Sequence, residues 1–317
     1  MLLLNPKKTI FLLIITTMIL NGCATMPWDK PAGEYDFFME DAEGNQPGNI
    51  GDLSEDKTKG KKEAKLKAKT ALNQGDTDAA LYYYVKALDH DPDDAESLIA
   101  IGSIHTKSGN IELAVLAYRI VLGEDSENID AQIGLGLSLI RQNKYREARF
   151  ILLRALKDNP QRPQIYNGLG VISDIDHLFS EARWFYARAL VMSPDSPVTR
   201  TNIAYSYFLS NEWDNAEKIF RKVLNQFPKH AQASLNYGLL LARKGMIYDA
   251  QTQFERVLSK PKAYNELGYI LMLDKKYMMA EQLFQKAISA SPAYFEAAYK
   301  NMERLKELKD QTSHRRI

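Results

Sequence analysis

Apolar positions along most of this chain fall three and four apart, and the whole pattern returns every 34 residues. Its clearest part is a small residue, an aromatic or leucine four later, alanine or valine three later, and proline five beyond that. The series runs Ala80-Tyr84-Ala87-Pro92, Ala114-Tyr118-Val121-Ser126, Ala148-Leu152-Ala155-Pro160, Ala182-Tyr186-Ala189-Pro194, Ala216-Phe220-Val223-Pro228, Ala250-Phe254-Val257 and Ala280-Phe284-Ala287-Pro292. An earlier pair in every unit but the first, Ile101-Gly102, Leu135-Gly136, Leu169-Gly170, Ile203-Ala204, Tyr237-Gly238 and Leu267-Gly268, marks a second helix. Three-and-four spacing puts these side chains on one helical stripe, so each unit predicts two antiparallel helices. Glycine inside a helix costs about 1 kcal/mol relative to alanine, so its return at one register implies close helix packing.

The spacing places units at 61–94, 95–128, 129–162, 163–196, 197–230, 231–260 and 261–294. The sixth is four residues short because Pro261 arrives early. The first is the least regular: Lys65, Lys67 and Lys69 occupy a helix whose counterparts have an apolar face, as a polar capping repeat would. Phe295, Ala298, Met302, Leu305 and Leu308 predict a closing helix that ends the array at about residue 309, with 310–317 as a disordered tail.

The residues before the array read differently. Lys7 and Lys8 precede an apolar run from Ile10 to Leu20. Eleven helical residues rise roughly 16 Å, too little for a hydrocarbon core of about 30 Å, so residues 1–22 predict an export signal, not a span. Residues 23–60 predict a flexible tether: Pro27, Pro31 and Pro47 interrupt it, and residues 24–60 hold nine acidic residues against three lysines. Within it the patch Tyr35-Asp36-Phe37-Phe38-Met39 is either a docking peptide or a solvated segment.

Composition narrows the function. Forty-one Lys and Arg against forty Asp and Glu give a net charge of +1, which argues against nucleic-acid binding. His90, His105, His177, His230 and His314 are scattered and form no metal or catalytic motif; each reads as a turn or surface residue. Gly134-Leu135-Gly136 and Gly168-Leu169-Gly170 lack the strand and the Gly-Lys-Ser/Thr ending of a phosphate loop. Asp89, Asp91, Asp93 and Asp94 cluster at a helix start, where acids favour the N-terminal dipole. The expectation is a binding protein and not an enzyme, with no cofactor, no metal and no small-molecule substrate.

Two resemblances extend this reading. Leu20-Asn21-Gly22-Cys23 resembles the lipobox of bacterial lipoproteins, which implies a lipidated Cys23; the competing reading is an ordinary secretory peptide with an incidental cysteine. Cys23 is the sole cysteine. Because Ala24 and not Asp follows it, the resemblance implies the periplasmic face of the outer membrane, and palmitate-type acylation. The 34-residue unit resembles the tetratricopeptide repeat. That likeness implies an all-α, right-handed superhelical solenoid with a C-terminal capping helix, whose first helices line a groove for protein partners. Mapped onto this sequence, the groove wall holds Asn167, Val171, Asn202, Tyr205, Phe208, Asn236, Leu239, Asn265 and Tyr269, together with Ile133 and Leu137. Amides carry both donors and acceptors for a peptide backbone, while apolar neighbours take its side chains. The competing reading is that these side chains fill inter-repeat packing.

Asn167-Gly168-Leu169-Gly170-Val171, Asp174, Ser180-Glu181-Ala182-Arg183 and Asn202-Ile203-Ala204-Tyr205-Ser206 resemble the tetratricopeptide lipoproteins of tight-adherence (Flp) pilus systems. That implies help in secretin or pilus assembly. The alternative is a periplasmic scaffold that recruits cell-wall or other envelope enzymes.

Overall fold

The computed structural model describes the backbone of residues 50–314 and the side chains of residues 58–311. Cys23, the export signal, most of the tether and the 35–39 patch lie outside the described residues. Among the described residues fifteen helices follow one another: α1 Ile50–Asn73, α2 Thr77–His90, α3 Ala95–Ser108, α4 Ile111–Glu124, α5 Ile129–Arg141, α6 Tyr145–Asp158, α7 Pro163–Ile175, α8 Phe179–Met192, α9 Pro197–Leu209, α10 Trp213–Gln226, α11 Ala231–Arg243, α12 Ile247–Glu255, α13 Lys260–Leu273, α14 Tyr277–Ala290 and α15 Glu296–His314. Among the described residues there is no strand, and no helix is long and apolar enough to cross a membrane. The fold class is all-α, built from helix pairs.

Two local devices set the pairs. The turn inside each pair needs a left-handed residue, and it is found at Gly75, Gly109, Asn143, His177, Asn211, Gly245 and Lys275, six of them 34 apart and the last 30 on. Glycine reaches this region freely and asparagine does so more readily than most residues. His177 is therefore a turn residue. The start of several first helices is capped by the residue just before it. Ser97 N–H donates to Asp94 at 3.0 Å, Ala131 N–H to Asn128 at 3.1 Å, Thr199 N–H to Ser196 at 3.2 Å and Ala233 N–H to His230 Nδ1 at 3.2 Å. Such a cap contributes about 1 kcal/mol.

Packing follows the stripe read from the sequence. Ala80, Ala114, Ala148, Ala182, Ala216, Ala250 and Ala280 are completely buried, and so are Leu152, Phe220, Phe254 and Phe284 four residues beyond their alanines. The alanines let paired helices approach and the large side chains fill the space between. Burying each large side chain contributes roughly 1.5–3 kcal/mol.

The chain forms two compact units whose boundary, between Leu169 and Gly170, falls inside α7. In the first, α1 packs on α2 around Ala68, Ala71, Ala80 and Tyr84. Two of the lysines that made this repeat irregular face acids at the start of α3: Lys65 lies 3.1 Å from Asp94 and 2.5 Å from Glu96, and Lys69 lies 2.6 Å from Glu96, whereas Lys67 pairs with Glu63 of α1 itself; Lys61 adds a contact of 2.7 Å to Asp91. Burial pushes the Asp94 carboxyl up, but the hydrogen bonds from Ser97 and Lys65 outweigh it and hold the group at about 2. The acidic cluster is thus occupied by a helix cap and lysine partners.

In the second unit the core runs through Phe220, Leu240, Phe254, Leu267 and Phe284 to Leu305 of the closing helix. The short sixth repeat is visible as α12, which has 9 residues where α10 and α14 have 14. Val257 and Leu258 N–H groups both donate to the Phe254 carbonyl, and Ser259 turns the chain into α13, whose first turn holds Pro261.

The structure corrects two boundaries. Helix α1 starts at Ile50 and takes in the last eleven residues of the span read as tether, because no proline lies between Pro47 and Pro92 and residues 52–63 are mostly Lys, Glu and Asp. Helix α15 continues to His314, through part of the tail read as disordered. Charged straight-chain residues have good helix propensity without apolar periodicity, so a reading based on periodicity stops short of such ends.

Candidate functional site

The first helices carry the residues expected to line a binding groove. Asn167 and Val171 stand on α7, Asn202, Tyr205 and Phe208 on α9, Asn236 and Leu239 on α11, and Asn265 and Tyr269 on α13. Asn167, Asn202 and Tyr269 are half-buried. Val171, Tyr205, Phe208, Asn236, Leu239 and Asn265 are buried, none more than 8% exposed. Ile133 is buried as well and Leu137 half-buried. The apolar members of the row therefore pack, as the Tyr205 and Phe208 rings do with centroids 5.6 Å apart. The accessible part of the first-helix face is mixed: the amides of Asn167 and Asn202 with Tyr269 and Leu137.

In the second unit that polarity is organised in amide pairs. Gln232 Nε2 donates to Asn236 Oδ1 at 2.9 Å, and Asn301 Nδ2 of α15 donates to Asn265 Oδ1 at 2.9 Å. Three polar atoms of this face, Tyr205 Oη, Gln232 Oε1 and Asn236 Nδ2, are buried and make no hydrogen bond within the chain. Leaving such a group unsatisfied costs about 1–3 kcal/mol, so this part of the face carries a stability cost in atoms that solvent does not reach. Arg243 is paired with Asp274, the residue just past the end of α13. Arg141, in the first unit, donates to the Thr106 carbonyl at 2.6 Å. Both arginines near the groove are thus engaged in structural contacts.

A second polar cluster carries a role not assigned from the sequence. Asp174, 4% exposed, accepts from Tyr186 Oη at 2.8 Å and from Ser206 Oγ at 2.6 Å. Burial raises its carboxyl to about 7 against the lowering effect of those two hydroxyls and of Arg183. Tyr186 is pushed well above the usual phenol range by burial and by the Asp174 charge. The sequence did contain a signal: the register of Asp174 is filled by Thr106, Ile140, Phe208, Ala242 and Met272 in the neighbouring repeats. Asp174 ties α7, α8 and α9 together through one carboxyl.

The histidines show no shared chemistry. His230 caps α11, His177 forms a turn, and the His90 ring lies where a side chain on Gly60 would project. Among the described residues no group of three or more His, Cys, Asp or Glu side chains is placed to hold a metal ion.

Comparison with known proteins agrees with the helix-pair architecture. Family models described as tetratricopeptide repeat match residues 65–129, 106–172, 201–230 and 261–294, together more than half of the chain. A tetratricopeptide repeat protein from Parabacteroides merdae ATCC 43184 superposes with a TM-score of 0.56 at 17% identity, covering 78% of this chain and 99% of that one. A thermophilic TPR protein from Thermus thermophilus gives 0.51 at 20% identity, over 57% of this chain and 98% of that one. The APC/C hetero-tetramer Cut9-Hcn1 gives 0.55 at 15% identity, over 80% of this chain and 48% of that one. At these identities the likeness is one of fold. No curated protein matches the chain.

Proposed function

We propose a role from this premise: the chain belongs to the tetratricopeptide repeat family, whose stacked helix pairs serve as scaffolds for protein–protein interaction. Our reading is a non-enzymatic scaffold, held by a lipid on Cys23 at the periplasmic face of the outer membrane, that assists assembly of a secretin or pilus of the tight-adherence type. The lipobox-like Leu20-Asn21-Gly22-Cys23 supports the anchor. The likeness of residues 167–209 to lipoproteins of that pilus system supports the partner class.

The observation that carries the binding role is the amide series of the second unit. Half-buried Asn202 stands on α9, and on α11 half-buried Gln232 donates to buried Asn236. A peptide backbone presents one N–H and one C=O per residue and is matched by a reachable amide such as Asn202 in any sequence context. Selectivity then falls to half-buried Tyr269 and its neighbours.

Two experiments test the reading. A photo-crosslinker at Asn202 or Tyr269, in cells, is expected to capture a secretin or pilus assembly component. Capture from exposed second-helix positions such as Phe150, with none from Asn202 or Tyr269, removes the first-helix face as the site. Deleting the gene is expected to lower secretin multimers and surface pili, and normal amounts of both overturn the assembly role.

A further inference from the structure

The second helices of the first unit carry an exposed row that the groove does not use. At one register of α2, α4 and α6, 34 residues apart, stand Tyr82, Leu116 and Phe150, exposed to 57, 57 and 70%. Leu113 and Ile120 widen the row on α4, and Leu153 does so on α6. Single exposed apolar side chains are ordinary, but a row repeated at one register forms a patch that marks a contact surface. The repeat architecture does not require it, since Lys218, Thr252 and Gln282 hold the register in the last three repeats.

Each member of the row has a cation three or four residues on: Lys86, Arg119 and Arg154. The Lys86 ammonium lies 6.0 Å from the Tyr82 ring centre. Arg119 pairs with Glu147 at 2.8 Å and Arg154 pairs with Glu127, both on the surface. Exposed pairs of this kind are weak and can give way to a better partner. The occupant of this face should therefore bring large apolar side chains flanked by acids.

The chain contains such a segment. Residues 35–43 read Tyr-Asp-Phe-Phe-Met-Glu-Asp-Ala-Glu, four large apolar residues among four acids. They also lie within reach. A side chain on Gly60 would meet the His90 ring, so Gly60 of α1 stands level with the end of α2. From there the ten residues back to Ile50 rise about 15 Å and the eight residues back to Tyr82 descend about 12 Å. Leu116 and Phe150 stand one and two helices further across, at about 10 Å per helix, which makes the span roughly 29–34 Å; residues 40–49, fully extended, reach about 35 Å and cover it. We propose that residues 35–43 dock across α2, α4 and α6, with Phe37, Phe38 and Met39 against Leu116 and Phe150, and the acids toward Lys86, Arg119 and Arg154. The docking does not depend on lipidation of Cys23. A second copy of this face would oppose cation to cation, which argues against self-association through it.

The test uses the mature chain carrying Cys23→Ser and a benzophenone amino acid at position 38. Irradiation of the dilute protein is expected to give a monomer-sized product in which position 38 is joined to residues 113–120 or 146–157. Leu116→Glu with Phe150→Glu should lower its yield at least fivefold with no change in helical circular dichroism. If that variant misfolds, Lys86→Glu with Arg154→Glu provides the same readout. Raising NaCl to 0.5 M should lower the yield at least twofold. A linked dimer, linkage to the first-helix face, or a yield unaffected by these substitutions overturns the proposal. Loss of the product on adding phosphatidylglycerol vesicles would do the same and would assign the face to a bilayer.

Discussion

Asp174 shows what a single side chain can report. Its carboxyl titrates at about 7 in the fold, whereas an unfolded chain ionises aspartate near 4. Between those values the folded chain keeps a proton that the unfolded chain has lost. The folded state is therefore favoured most at the acid end, and this contribution declines as pH rises through 7. We expect the stability of the native chain relative to an Asp174→Asn variant to fall by on the order of a few kcal/mol between pH 4.5 and 8, and to level off above that. Denaturant melts of both proteins across this range measure it, and a pH-independent difference would show that Asp174 is charged in the fold. Tyr186 and Ser206 make the same point about legibility. Tyr186 stands at a repeat position that reads simply as aromatic and Ser206 at one without chemical pattern, so the sequence does not reveal that their hydroxyls converge on one carboxyl.

Helix pairs were legible because their cause is periodic. A small residue, a large one and a left-handed turn residue return in step, and each constrains the same two helices. Glycine substitutions separate packing from propensity within these elements. A Cβ on Gly170 would overlap the ring of Tyr186, which is fully buried and held by Asp174, so Gly170→Ala is expected to destabilise by about 1–3 kcal/mol. Gly123, inside α4, has nothing within 4 Å of such a Cβ, and Gly123→Ala should stabilise by about 0.5–1 kcal/mol. Thermal melts showing equal effects would mean that the glycine register reflects backbone freedom and not close approach. Two features escaped the periodic reading for one reason: period does not report what covers a face. The spacing put Tyr205, Phe208 and Leu239 on the first-helix face, yet neighbouring repeats bury all three and leave Asn167, Asn202 and Tyr269 as its accessible members. The start of α1 at Ile50 was hidden because its first turns hold charged helix formers in place of an apolar stripe.

At the scale of the whole molecule, fold and attachment are separable, because each repeat packs mainly on its sequence neighbours. Helix α2 meets α1 and α3, and α14 meets α13 and α15. Stability in such an array is close to a sum of repeat and nearest-neighbour contributions, so an anchor dozens of residues away adds nothing to it. Our reading of Cys23 then makes two predictions that must hold together. Cys23→Ser should leave the thermal melt of the repeats unchanged, and it should move the protein from the outer-membrane fraction to the soluble periplasmic fraction. Each buried methylene of an acyl chain contributes about 0.8 kcal/mol, and one chain holds a protein only reversibly. Stable membrane fractionation of the native chain thus requires more than one acyl chain or a second contact. If the Cys23→Ser protein still sediments with outer membranes, the contact is made by the repeats or their partner and the lipid reading fails. If it is released but melts lower, the anchor is coupled to the fold and the additive picture of the array fails instead.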